Sequence, residues 1–150
     1  MKTTPELKKA QENMLPGAIT ADGFMGTDTR PLSTVIDEDE QVLRKLGLDP
    51  AEVAERLRGL MEKGRAGLGE PITVDGQWLV QTDEARGKLP CPWEDGVHRK
   101  VNVTVTRTDT GEKLFFTALS IHLLEVHHFL EGRGSAFRLN LEAVKHVLKM

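Results

Sequence analysis

Residues 101–128 read VNVTVTRTDTGEKLFFTALSIHLLEVHH, and this stretch decides the fold. Val101, Val103 and Val105 alternate with polar residues, the two-residue period of a strand with one buried face. Thr108 to Gly111 supply a turn, and Leu114 and Phe116 restore the alternation on the way back. From Ala118 the period becomes helical, with Leu119, Leu123, Val126 and Leu130 forming one stripe. A hairpin that runs straight into an amphipathic helix folds that helix onto its own sheet, because neither apolar face has another place to go.

Working upstream, Ile72 to Val74 and Gln77 to Gln81 flank Asp75-Gly76, a dipeptide that accepts the positive φ values of a type I′ hairpin turn. Before it, Asp49 caps a helix, Pro50 takes its first position and Glu52 completes a capping box. Val53, Leu57, Leu60 and Met61 are that helix's buried stripe, and Gly64 is its stop. A shorter helix is expected from about Glu38, capped by Asp37, to Leu46, with Gly47 ending it. Thr4 and Pro5 open a thin helix over 4–14. Downstream, Asn140 caps a last helix. Residues 83–97 read as a loop. The expected fold is therefore α+β: an antiparallel sheet from two hairpins, about 72–81 and 100–117, covered by helices at about 38–46, 50–63, 118–130 and 141–149. Residues 1–31 read as an N-terminal helix and apolar arm, and 32–150 as a single domain.

Composition excludes several function classes. The chain has 150 residues, 39% hydrophobic and 29% charged, with a net charge of −3, a profile unlike that of a disordered chain. That charge leaves no electrostatic footprint for nucleic acid or an anionic membrane. No apolar run approaches the ~20 residues needed to span a bilayer, and the first residues lack a secretion signal's apolar core. A single cysteine favours a reducing compartment, so the expected location is the cytoplasm.

Four of the five histidines and the only cysteine fall between Cys91 and His128. On the helix, steps of ~100° put His122 and His127 on opposite flanks of the apolar stripe, both at the edge of the core. His128 points towards solvent. The spacing Phe116-x2-Leu119-x2-His122-x4-His127 resembles the helical half of a Cys2His2 zinc finger, whose two helical histidines reach back to a hairpin. The resemblance covers about a dozen residues. The cysteine pair of that finger is absent, so its DNA-binding role is not implied. Cys91-x6-His98 stands as a substitute pair, and the order of loop pair, hairpin and helix pair is similar to treble-clef zinc sites. Zinc there would use Cys91 as thiolate with His98, His122 and His127 as neutral imidazoles. The alternative leaves both histidines bonded to backbone carbonyls and Cys91 as a small core hydrophobe.

Other features point less sharply. A Cys91/His98 nucleophile–base pair is conceivable, but Pro90 and Pro92 stiffen the cysteine. Gly132-Arg-Gly-Ser135 could hold an anion through Arg133, Ser135 and backbone amides. Arg86, Lys88, His98, Arg99, Lys100 and Arg107, with Trp93 as a stacking face, form a basic stretch that could meet single-stranded nucleic acid but that a solvated surface explains. The joint between the helices at 38–46 and 50–63 resembles a DNA-reading pair, yet Asp37 to Glu40 would place four carboxylates against phosphates. Ile19, Phe24 and Met25 lie in the Gly- and Thr-rich stretch 15–31, where they either pin an arm to the body or meet a partner protein or second copy.

The leading expectation is thus a non-enzymatic cytoplasmic binding or regulatory domain with no cofactor, acting on a protein partner or on itself through residues 15–31. The alternative is a structural-zinc protein built on Cys91, His98, His122 and His127. A small enzyme using the histidine cluster is the third class.

Overall fold

Alternating valines make the central strand, and everything else packs from there. The computed structural model describes residues 2–150. In chain order it contains α1 (Pro5–Asn13), α2 (Leu32–Lys45), α3 (Pro50–Arg65), β1 (Ile72–Val74), β2 (Trp78–Pro90), β3 (Val97–Arg107), β4 (Lys113–Thr117), α4 (Ala118–His127) and α5 (Leu141–Leu148). The four strands form one antiparallel sheet in sequence order, so the fold is α+β and built from hairpins. Asp75 and Gly76 turn β1 into β2 with φ values of 53° and 66°, as a type I′ turn requires.

Two apolar clusters lie on either side of α4. The larger joins Val80, Val101, Val103, Val105 and Phe116 of the sheet to Val53, Leu57 and Leu60 of α3 and Val144 and Val147 of α5. The smaller joins Leu7, Ala10 and Met14 to Phe24, Met25, Leu32, Val35, Ile36, Cys91 and Phe129. α4 gives Ile121 and Leu124 to the first, Leu119 and Leu123 to the second. The expected single stripe is corrected accordingly: Val126 is 53% exposed, and Leu130 belongs to the larger cluster. A helix wedged between two cores needs apolar residues on two faces, so one moment direction does not describe it.

Three boundaries differ from the sequence expectation. α2 begins at Leu32 rather than near Glu38, because the side chain of Gln11 accepts from the Leu32 amide at 2.9 Å and caps the helix from α1. β2 continues to Pro90 through residues expected to be loop. That extension is polar on both faces and is held by pairing with Val97 to Lys100, across an irregularity between Ala85 and Lys88 where Gly87 has a φ of 91°. α4 ends at His127, with His128 in the left-handed conformation, and not near Leu130. Its start is a capping box, Thr117 to Ser120, that the sequence reading passed over.

The N-terminal segment is tied to the rest of the chain. Gly132 donates to the Phe24 carbonyl at 2.9 Å and Thr27 to the Arg133 carbonyl at 2.9 Å. A side chain at Gly132 would meet the Met25 carbonyl at 2.2 Å, so glycine is required for this approach. Among the described residues no helix is long and apolar enough to cross a membrane.

Candidate metal centre

β2 and β3 are joined by the short loop 91–96, and that loop stands against the end of α4. Cys91 donates its amide to the Gly96 carbonyl, and Glu94 donates to the Cys91 carbonyl, closing a tight turn. The Asn13 side chain donates to Pro92 at 2.8 Å and clamps the turn to α1. Trp93 stacks on the His127 ring, with centroids 3.9 Å apart and planes 7° apart, and meets Phe129 edge-on. These contacts seat the loop against the helix end.

Cys91, Asp95, His122 and His127 converge there, with one donor atom from each lying within 4.8 Å of all the others. Asp95 bridges the histidines: Oδ1 lies 3.1 Å from His122 Nε2, and Oδ2 lies 2.8 Å from His127 Nε2. Cys91 Sγ is 3.6 Å from His127 Nε2. Cys91 is fully buried, while Asp95 keeps 35% of its side chain exposed, so the group forms a bowl with sulfur at its floor.

The protonation states follow from this packing. Burial, reinforced by the neighbouring Asp95, pushes the Cys91 thiol up to about 12. Burial also opposes ionisation of Asp95, but hydrogen bonds from Cys91, His122 and His127 outweigh it and hold that carboxyl well below its usual range. Burial lowers His127 despite the attraction of Asp95. Burial, with repulsion from His122, lowers His98. The site thus offers a carboxylate, an imidazole at His127 biased towards its neutral form, and a thiol that a metal would deprotonate.

Three of the four residues proposed from spacing meet; the fourth place belongs to Asp95 rather than His98. His98 instead packs its ring on His122, with centroids 4.4 Å apart. Its buried Nε2 has no hydrogen-bond partner among the described residues. The missed signal was Cys91-x3-Asp95, a gap within the two-to-four residues usual between paired ligands. Neither helical histidine bonds a backbone carbonyl through Nε2. His128 is not free in solvent either: its Nδ1 lies 2.7 Å from Glu40 of α2.

The remaining sequence candidates are placed as follows. Phe24 and Met25 are buried in the chain's own smaller cluster, and Ile19 packs partly against it. The Arg133 amide donates to the Asp28 carboxylate at 3.1 Å, so the anion this turn receives comes from the chain itself. Ser135 donates to Glu131 at 2.8 Å. Trp93 is taken up by His127 and is not an open stacking face. No protein-family model, curated protein or solved structure matches this chain.

Proposed function

We propose that this protein binds one zinc-class ion through Cys91, Asp95, His122 and His127, and that the ion fastens loop 91–96 to α4. The observation that carries this reading is the convergence of four donor atoms within 4.8 Å. Zinc bonds of about 2.0 Å to nitrogen and about 2.3 Å to sulfur put tetrahedral N and S atoms about 3.5 Å apart. Cys91 Sγ and His127 Nε2 are 3.6 Å apart. A thiolate, two imidazoles and one carboxylate form a donor set of mixed softness, which suits zinc and not calcium or magnesium. The unpartnered Nε2 of His98 beside His122 adds a further nitrogen at the edge of the site.

Four protein donors close a tetrahedron and leave no position for substrate, so the role is structural and the protein a binding or regulatory module rather than an enzyme. A reducing, cytoplasmic setting belongs to the same proposal, since the ion requires Cys91 as a reduced thiolate. The test is elemental analysis of protein purified without a histidine tag, followed by cobalt substitution. About one equivalent of zinc per chain is expected. Cobalt should give intense tetrahedral d–d bands and a thiolate charge-transfer band that Cys91→Ser removes. Protein that stays metal-free after zinc addition, or a cobalt spectrum unchanged by Cys91→Ser, overturns the proposal.

A further inference from the structure

Away from the metal centre, the arm 19–26, the polar face of β2 and β3, and the turn 131–137 line an open-mouthed cavity of about 630 Å³. This volume lies within the range of small-molecule sites. Its apolar walls include Ile19, Phe24, Leu89, Leu119 and Phe137. Gly26 and Gly132 bring the arm wall into backbone contact with the turn, and hydrogen bonds join the two.

Glu131 lines this cavity and is only 5% exposed. No cation pairs with its carboxyl among the described residues. Its partner is the Ser135 hydroxyl, at 2.8 Å. Arg138, close by, donates instead to the Glu131 backbone carbonyl and to both oxygens of Asp39. Glu131 also has a φ of 74°, a conformation that costs a non-glycine residue energy and that persists only where its surroundings impose it. A buried acid with no cation partner among the described residues, held at a strained φ beside a largely apolar cavity, is poorly explained by stability alone. Asp22 and Asp83 add negative charge to the lining; Arg99 and Lys100 on the β3 side are balancing cations.

We propose that this cavity binds a small organic amine, an apolar body whose ammonium group pairs with Glu131 and Ser135. An ammonium supplies the charge complement that the fold withholds from this carboxylate, and the walls suit a flat or branched hydrocarbon.

The experiment uses the full chain and three matched probes, tryptamine, tryptophol and indole-3-propionate, followed by amide chemical shifts on titration. Tryptamine should perturb Glu131, Ser135 and Asn102 and bind at least tenfold tighter than the other two. Glu131→Gln should weaken tryptamine at least tenfold while the fold, judged by the remaining amides, is kept. Asn102→Phe, which fills the cavity from its strand wall, should also abolish binding. Equal binding of the alcohol, tryptamine binding indifferent to Glu131→Gln, or no perturbation of these residues would each overturn the proposal. None of these outcomes depends on the metal centre.

Discussion

Asp95, in the loop between β2 and β3, and Glu131, in the turn after α4, are carboxyl groups whose environments drive them in opposite directions. Asp95 is drawn below its usual range although burial opposes ionisation, because Cys91, His122 and His127 donate to it. Glu131 is driven by burial up to about 7, with only the Ser135 hydroxyl working against that rise. Depth and donors both separate the two: Glu131 is buried with one hydroxyl partner, whereas Asp95 is one-third exposed and accepts from several. The first is held as a carboxylate by its donors; the second has no cation paired with it among the described residues.

The most damaging way to probe this contrast is to remove the residue that supports both sites. Phe24 packs in the cluster that contains Cys91, and its carbonyl receives the Gly132 amide next to Glu131. Phe24→Ala should cost about 3–5 kcal/mol in chemical denaturation. A loss below about 1 kcal/mol would mean that the arm is not part of the core, and would restore an interface role for it.

Zinc should act on one carboxyl and leave the other alone. At about a thousand times Kd, bound zinc should stabilise the fold by about 4 kcal/mol, roughly 10 °C in Tm. About one proton should leave per ion, since the Cys91 thiol is pushed up to about 12 and is protonated beforehand. Calorimetry in buffers of different ionisation enthalpy reads that proton. Shifts at Asp95 without shifts at Glu131 would sharpen the comparison; no thermal shift at all would break it.

The two groups should also give stability opposite dependences on pH. Glu131 binds more protons folded than unfolded between about pH 4.5 and 7, so stability falls as pH rises through that window. The full penalty, about 3 kcal/mol, is present above pH 7. Glu131→Gln should therefore stabilise the protein by up to about that amount at pH 8 and by little near pH 4. Equal stability gains at both pH values would show that the substitution relieves something other than charge.

Asp95 runs the other way and more weakly. Its depressed folded value contributes stability above pH ~4 that disappears as pH falls below that point. With its side chain one-third exposed, solvent screens the interaction, and metal-free Asp95→Asn should lose only about 1 kcal/mol at pH 7. A larger loss that persists at pH 3 would point to packing instead of hydrogen bonding with His122 and His127.

How much of this was legible in sequence depends on how local each signal is. The Asp75-Gly76 hairpin, the helix capped by Asp49 and Pro50, and the alternating valines of β3 were readable, because turn chemistry, caps and periodicity act over a few residues. Cys91, His122 and His127 were legible as candidates from residue type and order. Asp95 had only its Cys91-x3-Asp95 spacing to mark it, and a carboxylate in a polar loop gains a role only when a helix end packs beside it. The start of α2 was hidden for the same reason: its cap, Gln11, comes from another helix. So was the polar half of β2, whose only reason to be extended is its partner strand.

By itself the sequence determined an α+β class, the order of hairpins and helices, and which residue types could ligate a metal. Periodicity and caps specify elements and their buried faces. Only the tertiary structure decided that α4 divides two cores, that Asp95 and not His98 completes the cluster, and that Glu131 is buried beside a cavity with no cation paired to it among the described residues. Each of these depends on which surfaces end up facing one another, and burial and electrostatics have no value until that is known.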